Sequence, residues 1–342
     1  MSLKSLLREI VGKDTEKMNS LPESSYRSEN NINSKQCEES ETGLQPECPI
    51  YEYIKRHTHN GRLVEGFSIP WISEYWAPGA KDGTFLYHMW PAELDSAMEQ
   101  KIVEALKMIS DEDRLQYTDE IFAIFEEIDS SISIVRLLDD IIRIVITHED
   151  ELNLGYILDY GDWLISYGVS LLSVKLGLSL LAPFKVPFVE EVMTEFGVYD
   201  EFTYYSARVL SHECWSDGNE KLFNLAKNVN GWGRIHAIEY LQPATQEIRD
   251  WLLFEGSNNY VHSQYTANIC LQKSGAQQRL DSTPSVEEYE AIGKLIQIAL
   301  EPTGPRPWIT DEDIILPKYL AMADEYNINP ILRQAILDYT QR

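Results

Sequence analysis

The chain has 342 residues, a formal net charge of -26 and 44% hydrophobic residues, which allows one large domain or two ordinary ones and excludes a disordered polymer. So acidic a molecule repels the phosphate backbone of nucleic acids and anionic membrane surfaces, and its natural partners are basic proteins or cations.

Residues 1–18 carry Leu3, Leu6, Leu7 and Ile10 at the spacing of a short amphipathic helix. These first residues meet charge too soon for a secretory signal. Residues 19–48 are rich in Ser, Asn, Glu and Gln with few apolar residues, the composition of a disordered tether. We therefore read 1–48 as a mostly disordered tail. Ile50–Arg56 reads as a helix opening. The aromatic stretch that follows is broken repeatedly by Gly and Pro, so 49–93 is expected to pack as an irregular cap.

From residue 94 to the end the pattern is helical. Within 131–148, Ile134, Leu137, Leu138, Ile141, Ile142 and Val145 make a stripe of helical period. Arg136, Asp139, Asp140 and Arg143 are placed to pair on its polar side. The most apolar run, 163–188, contains Lys175 and Pro183, so it reads as two buried helices rather than a membrane span. No segment alternates with period two, and no sheet is expected. The four cysteines, Cys37, Cys48, Cys214 and Cys270, match no zinc module or disulfide framework. A reducing, cytoplasmic location follows from these readings.

Three segments align without gaps: TYYSARVL at 203–210, RIHAIEYL at 234–241 and QYTANICL at 264–271. Each has a large residue second (Tyr204, Ile235, Tyr265), a small one fourth (Ser206, Ala237, Ala267) and a leucine last (Leu210, Leu241, Leu271). First helices of the pairs are expected over 220–227 and 245–254. Small residues let successive second helices approach closely, as stacked helix pairs require. The stretch 200–275 resembles bacterial HEAT-like or armadillo-like helical-repeat proteins. That resemblance implies an all-α chain in which 94–342 is an α-solenoid, with 94–195, which lack the 30-residue period, as either degenerate repeats or a separate bundle. Helices over 285–300, 311–324 and 330–339 are expected to cap its end.

No nucleophile elbow, Walker loop, zincin motif or dinucleotide fingerprint is present. His212, Glu213 and Cys214 are metal-ligand types, but neighbours on a helix point apart. No metal or cofactor is called for, and no catalytic residue is assigned. In a solenoid the second helices line a concave surface. Trp232, Arg234, His236, Arg249, Trp251, Asn259 and His262 are therefore candidates for a groove that binds a protein or peptide. The simpler reading of Arg234 is that it pairs with a nearby Glu or caps a carbonyl, and of Trp232 that it plugs the core. A second candidate is an acidic docking face at Asp111, Glu112, Asp113, Asp119, Glu120, Glu126 and Glu127. The window 111–160 holds fourteen Asp and Glu against three Arg. Solubility alone accounts for such a face, and so does electrostatic steering of a basic partner. The expectation is a non-enzymatic interaction module using the groove. One alternative is an inhibitor of a basic toxin or nuclease, as immunity proteins are. The other is an enzyme with a site near His212, Arg234 and His236.

Overall fold

The computed structural model describes residues 48–73, 75–89, 94–302 and 308–341. The sequence-predicted tail lies outside them except for Cys48, as does its short helix. Among the described residues the chain is all-α, with seventeen α-helices and one short hairpin. It divides into two compact units that meet between Leu210 and Ser211. That boundary falls inside the stretch the sequence presents as one helical-repeat domain.

The first unit opens with α1 (Ile50–Arg56) and a hairpin of β1 (Thr58–His59) and β2 (Arg62–Leu63). The hairpin corrects the expectation of no sheet. Its turn is Asn60-Gly61, both in left-handed conformations with φ of 52° and 75°. Asn-Gly is the dipeptide that a two-residue turn between twisted strands requires. The strands are too short for alternation to show. A second correction concerns the cap segment, where Ala80–Tyr87 forms a regular helix, α2, entered through Gly79 at φ 73°.

Next come α3 (Ser96–Ile109), a 3-10 turn at Arg114–Tyr117, α4 (Thr118–Ile132), a second 3-10 turn at Ile134–Leu137, and α5 (Leu138–Thr147). Asp95 starts α3 by accepting from the Met98 N–H at 2.8 Å, which satisfies one of the donors every helix start leaves open. The predicted stripe from Ile134 to Val145 is buried throughout. Its polar side bears out the expected i,i+3 pair of Arg143 with Asp140, while Asp139 and Arg136 take partners distant in the chain. Arg143 bridges Asp140 at 3.1 Å and Glu99 at 2.9 Å, Asp139 pairs with Arg208, and Arg136 donates to the carbonyls of Phe85 and Met89.

The apolar run lies in a helical hairpin, α6 (Leu154–Tyr167) and α7 (Leu171–Leu181); the two buried helices are as expected, but the break between them falls at 168–170 rather than at Pro183, which follows α7. Gly161 and Gly177 face each other across it. A Cβ on Gly161 would lie 3.0 Å from Leu181 Cδ2, and one on Gly177 3.0 Å from Leu164 Cβ. Glycine is what lets the two backbones come this close. The unit ends with α8 (Pro187–Phe196) and α9 (Thr203–Leu210).

The second unit contains α10 (Gly218–Asn228), α11 (Gly231–Tyr240), α12 (Gln246–Phe254), α13 (Gln264–Lys273), α14 (Ala276–Asp281), α15 (Val286–Ala299), α16 (Glu312–Ala321) and α17 (Pro330–Thr340). Helix α10 packs on α11, α12 on α13, and α11 on α13. The aligned segments at 234–241 and 264–271 coincide with α11 and α13, and the first of the three coincides with α9. Their small residues Ser206, Ala237 and Ala267 are fully buried, as are the closing leucines. Ser285 and Glu288 form a reciprocal capping box at the start of α15. Tyr289 stacks on Tyr319 and Tyr326 at 4.3 Å each. Gly293 clears the space for Tyr319, since any Cβ there would collide with its hydroxyl.

Candidate functional site

The acids proposed for docking are all on the surface. Asp111, Glu112 and Asp113 occupy the turn after α3, and Asp119, Glu120, Glu126 and Glu127 project from α4. The reason is helical geometry. Ile121, Phe125 and Ile128 form the buried face of α4, which leaves 119, 120, 123, 126 and 127 turned outward at helical spacing. Asp119 and Glu120 also sit in the first turn, where the helix dipole favours negative charge. Lys101 holds Glu127 through both carboxylate oxygens, at 2.6 and 2.7 Å. Asp119, Glu120 and Glu126 have no cationic partner among the described residues. The result is a solvated strip of negative charge that the fold itself does not neutralise.

The 3-10 turn that precedes α4 also borders a cleft. Arg114 lies at one wall, and Asp159, Tyr160, Asp162, Trp163 and Tyr167 of α6 line another. The cleft has about 50 Å³ of free space. The Arg114 guanidinium stands 4.3 Å from the centre of the Tyr156 ring and 3.8 Å from Asp159. Burial pushes the Asp159 carboxyl above the usual carboxylate range, against the pull of Arg114.

The candidate groove residues of the second unit are held by the fold. Arg234 donates to the Val229 carbonyl at 3.0 Å and to the Asn258 carbonyl, with its guanidinium 5.8 Å from the centre of Trp251. This is the carbonyl-capping role weighed for it from the sequence. Asn259 accepts from the Gly231 N–H at 2.6 Å and donates to the Gly231 carbonyl at 2.8 Å. Together Arg234 and Asn259 tie the 255–260 loop to the start of α11. Trp232 packs on Tyr265 with ring centres 5.1 Å apart, and Trp251 meets Phe223 edge-on at 5.6 Å. Arg249 donates to the Pro243 carbonyl at 2.7 Å and to Gln246. His262 accepts from the Gln264 N–H and lies 3.6 Å from Glu301. His236 is in the core at 1% exposure, where burial drives its pKa down to about 3. The structure thus brings Arg234 and Trp251 together, but it spends the polar atoms of Arg234 and Asn259 on backbone groups and buries His236. His212 accepts from the Cys214 N–H at 3.1 Å. Among the described residues no three His, Cys, Asp or Glu side chains converge to hold a metal, and no helix is long and apolar enough to cross a membrane.

The sequence gives no motif for a buried ionic cluster in the first unit. Lys175, from the middle of α7, lies 2.8 Å from Asp82 on α2 and 2.5 Å from Glu201 just before α9. All three side chains are under a tenth exposed. Glu201 also accepts from the Gly79 N–H at 2.6 Å, and Asp82 from Ser133 at 3.3 Å. At the edge of the cluster, Asp129 accepts from Lys81 at 2.5 Å and from the Ile134 N–H at 2.9 Å. Burial raises the Asp82 pKa to about 6 despite Lys175, with the second carboxylate adding to the rise. The two carboxylates hold Lys175 above its ordinary range against the cost of burial. Tyr205 places its hydroxyl near these acids without a hydrogen-bond partner among the described residues. The cluster joins α2, α4, α7 and the entry to α9 by charge rather than by apolar contact. One signal was in the sequence: a lysine inside an apolar helix has to find a carboxylate.

The chain was compared with protein-family models, curated proteins and solved structures, and none of them matches it.

Proposed function

We propose that this chain is a non-enzymatic interaction protein that docks a basic protein on the acidic face of α4 and the turn before it. One observation carries the reading. Asp119, Glu120 and Glu126 share an exposed helix face, and no cation of the described fold answers them. Placed opposite lysines and arginines, such a strip steers encounter and suppresses acidic or neutral competitors. A basic toxin or nuclease is a partner of this class. We read the α10/α11 and α12/α13 pairs, with α11 against α13, as short HEAT-like repeats in a solenoid arrangement, supported by the buried small residues at equivalent positions. In this reading the second unit serves as scaffold. Its candidate groove residues mostly hold turns, which weakens the case for a peptide groove there.

The experiment is a charge swap. The basic partner is isolated from the host at low salt, and its affinity is measured for Asp119→Lys/Glu120→Lys/Glu126→Lys. A loss of about tenfold or more supports the reading. An unchanged affinity refutes it.

A further inference from the structure

The cleft between the Arg114–Tyr117 turn and α6 leaves an apolar ribbon open to solvent. Tyr160, Trp163 and Tyr167 follow one another at helical spacing on α6, with successive ring centres 5.4 and 6.3 Å apart. Leu115, on the turn, lines the same cleft. Tyr160 is buried and forms the floor, whereas Tyr167 is 37% exposed and Leu115 54%. The polar side of the cleft is already taken, with Asp159 facing the Arg114 guanidinium. Helix α7 closes on α6 through a different face, at Gly161 and Leu164. What the cleft offers a ligand is therefore apolar surface, which gains free energy by being covered.

The chain supplies an occupant of matching size. Residues 1–47 lie outside the described residues, and the chain enters the fold at Cys48. Two residues on, Ile50 donates its N–H to the Gly168 carbonyl at 2.9 Å. Gly168 follows Tyr167, so the entering chain starts at one end of the ribbon. Leu3, Leu6, Leu7 and Ile10 have the spacing of one helix face. A helix from residue 3 to residue 10 extends about 10 Å, the same as α6 from Tyr160 to Tyr167. A coil of 29 residues, the length of 19–47, reaches about 30 Å. Linkage of that length sets an effective concentration of about a millimolar, so a weak apolar contact suffices. Charge favours the same seat. Residues 1–18 carry Lys4, Arg8, Lys13 and Lys17 against Glu9, Asp14 and Glu16, a net of +1 in a chain of -26. The turn that bears Leu115 runs straight into the first turn of α4, with Asp119 and Glu120.

We propose that residues 1–18 dock on this cleft within the same chain, with Leu3, Leu6, Leu7 and Ile10 laid against Leu115, Trp163 and Tyr167. The proposal does not depend on a basic partner at the α4 face.

The test is limited trypsin cleavage of the full chain, followed by mass spectrometry at Lys4 and Arg8. Each rate is divided into that of the free peptide 1–18 of the same sequence, which removes the protease's own preferences. Cleavage of a docked segment tracks its undocked fraction, so the wild type is expected to be protected about tenfold or more. Leu6→Ser/Leu7→Ser in the segment and Leu115→Ser/Tyr167→Ser in the cleft are each expected to abolish the protection. The two cleft positions are exposed, and circular dichroism melts confirm that both variants fold. Docking within one chain predicts protection that is constant over about a hundredfold range of protein concentration. Three results overturn the proposal. An unprotected wild type means that the segment does not dock. Protection that survives Leu115→Ser/Tyr167→Ser places it elsewhere. Protection that rises with protein concentration assigns the cleft to a second copy.

Discussion

Replacing Lys175 by methionine removes the one cation that two buried carboxylates share. Lys175 is nearly isosteric with methionine, so the packing of α7 is conserved and the effect isolates charge. Breaking a buried ion pair by deleting one partner costs about 3–5 kcal/mol, because the remaining charge is left without compensation. The pH dependence makes the prediction specific. In the native protein Asp82 titrates at about 6 against an ordinary 3.8. A carboxyl raised on folding binds its proton more tightly in the native state, so the stability it contributes is present at low pH and lost as pH rises through about 6. The interval corresponds to roughly 3 kcal/mol at about 1.4 kcal/mol per pH unit. Without Lys175, whose attraction lowers the Asp82 value, this loss extends to higher pH. Lys175→Met should therefore be mildly destabilised at pH 5, where a proton on Asp82 replaces the lysine charge, and strongly destabilised at pH 8. The assay is urea-dependent hydrogen exchange of α7 amides, which reports the first unit alone. Adding Asp82→Asn and Glu201→Gln to Lys175→Met should restore most of the loss. A pH-independent effect, or a loss below about 1 kcal/mol at pH 8, would refute the assignment of this cluster as a charge clasp.

The second unit should respond to acid with the opposite sign. His236 is held neutral by burial, with a native pKa of about 3 against 6.5. Its stability contribution is complete above pH 6.5 and is lost as pH falls toward 3, up to about 5 kcal/mol in all. The opening free energy of α11 amides, obtained after dividing out the intrinsic exchange rate, should thus fall steeply below pH 6 in the wild type and much less in His236→Phe; equal pH profiles would contradict this. At the α6–α7 crossing, Gly161→Val should destabilise by about 1–3 kcal/mol, read from urea melts, because the new side chain meets the buried Leu181 at van der Waals distance or closer. A neutral outcome would mean that the two helices can separate at no cost.

Much of the helical architecture was legible because periodicity and burial coincide. The stripe from Ile134 to Val145 and the segments at 203–210, 234–241 and 264–271 follow from where apolar and small residues recur, whereas the break between α6 and α7 falls at 168–170 and not at the proline that suggested one. The hairpin was missed because two-residue strands have no period, although Asn60-Gly61 marked its turn. Helix α2 was hidden by flanking glycines and prolines that terminate it rather than disrupt it. The exposure of the acidic face could be anticipated, since Ile121, Phe125 and Ile128 fix which side of α4 is buried. The Lys175 cluster was only half visible. The lysine stands out in an apolar run, but Asp82 and Glu201 lie far off in sequence, and only the fold selects them from 55 acids. The groove candidates show the converse. Arg234 and Asn259 have the chemistry of recognition, and pairing with distant carbonyls makes them structural.

Equal charge swaps test the α4 face directly. Asp119→Lys/Glu120→Lys/Glu126→Lys and the control Glu247→Lys/Glu287→Lys/Glu290→Lys each exchange three acids for lysines, +2 apiece, taking the net charge from -26 to -20. The dissociation constant of the basic partner is measured for both and for the wild type at about 50 mM and about 300 mM salt, on either side of physiological screening. The docking face predicts that wild type and control bind alike and weaken together at high salt, while the α4 variant has lost about tenfold or more already at low salt. Equal losses in the two variants would show that overall charge, not this face, holds the partner.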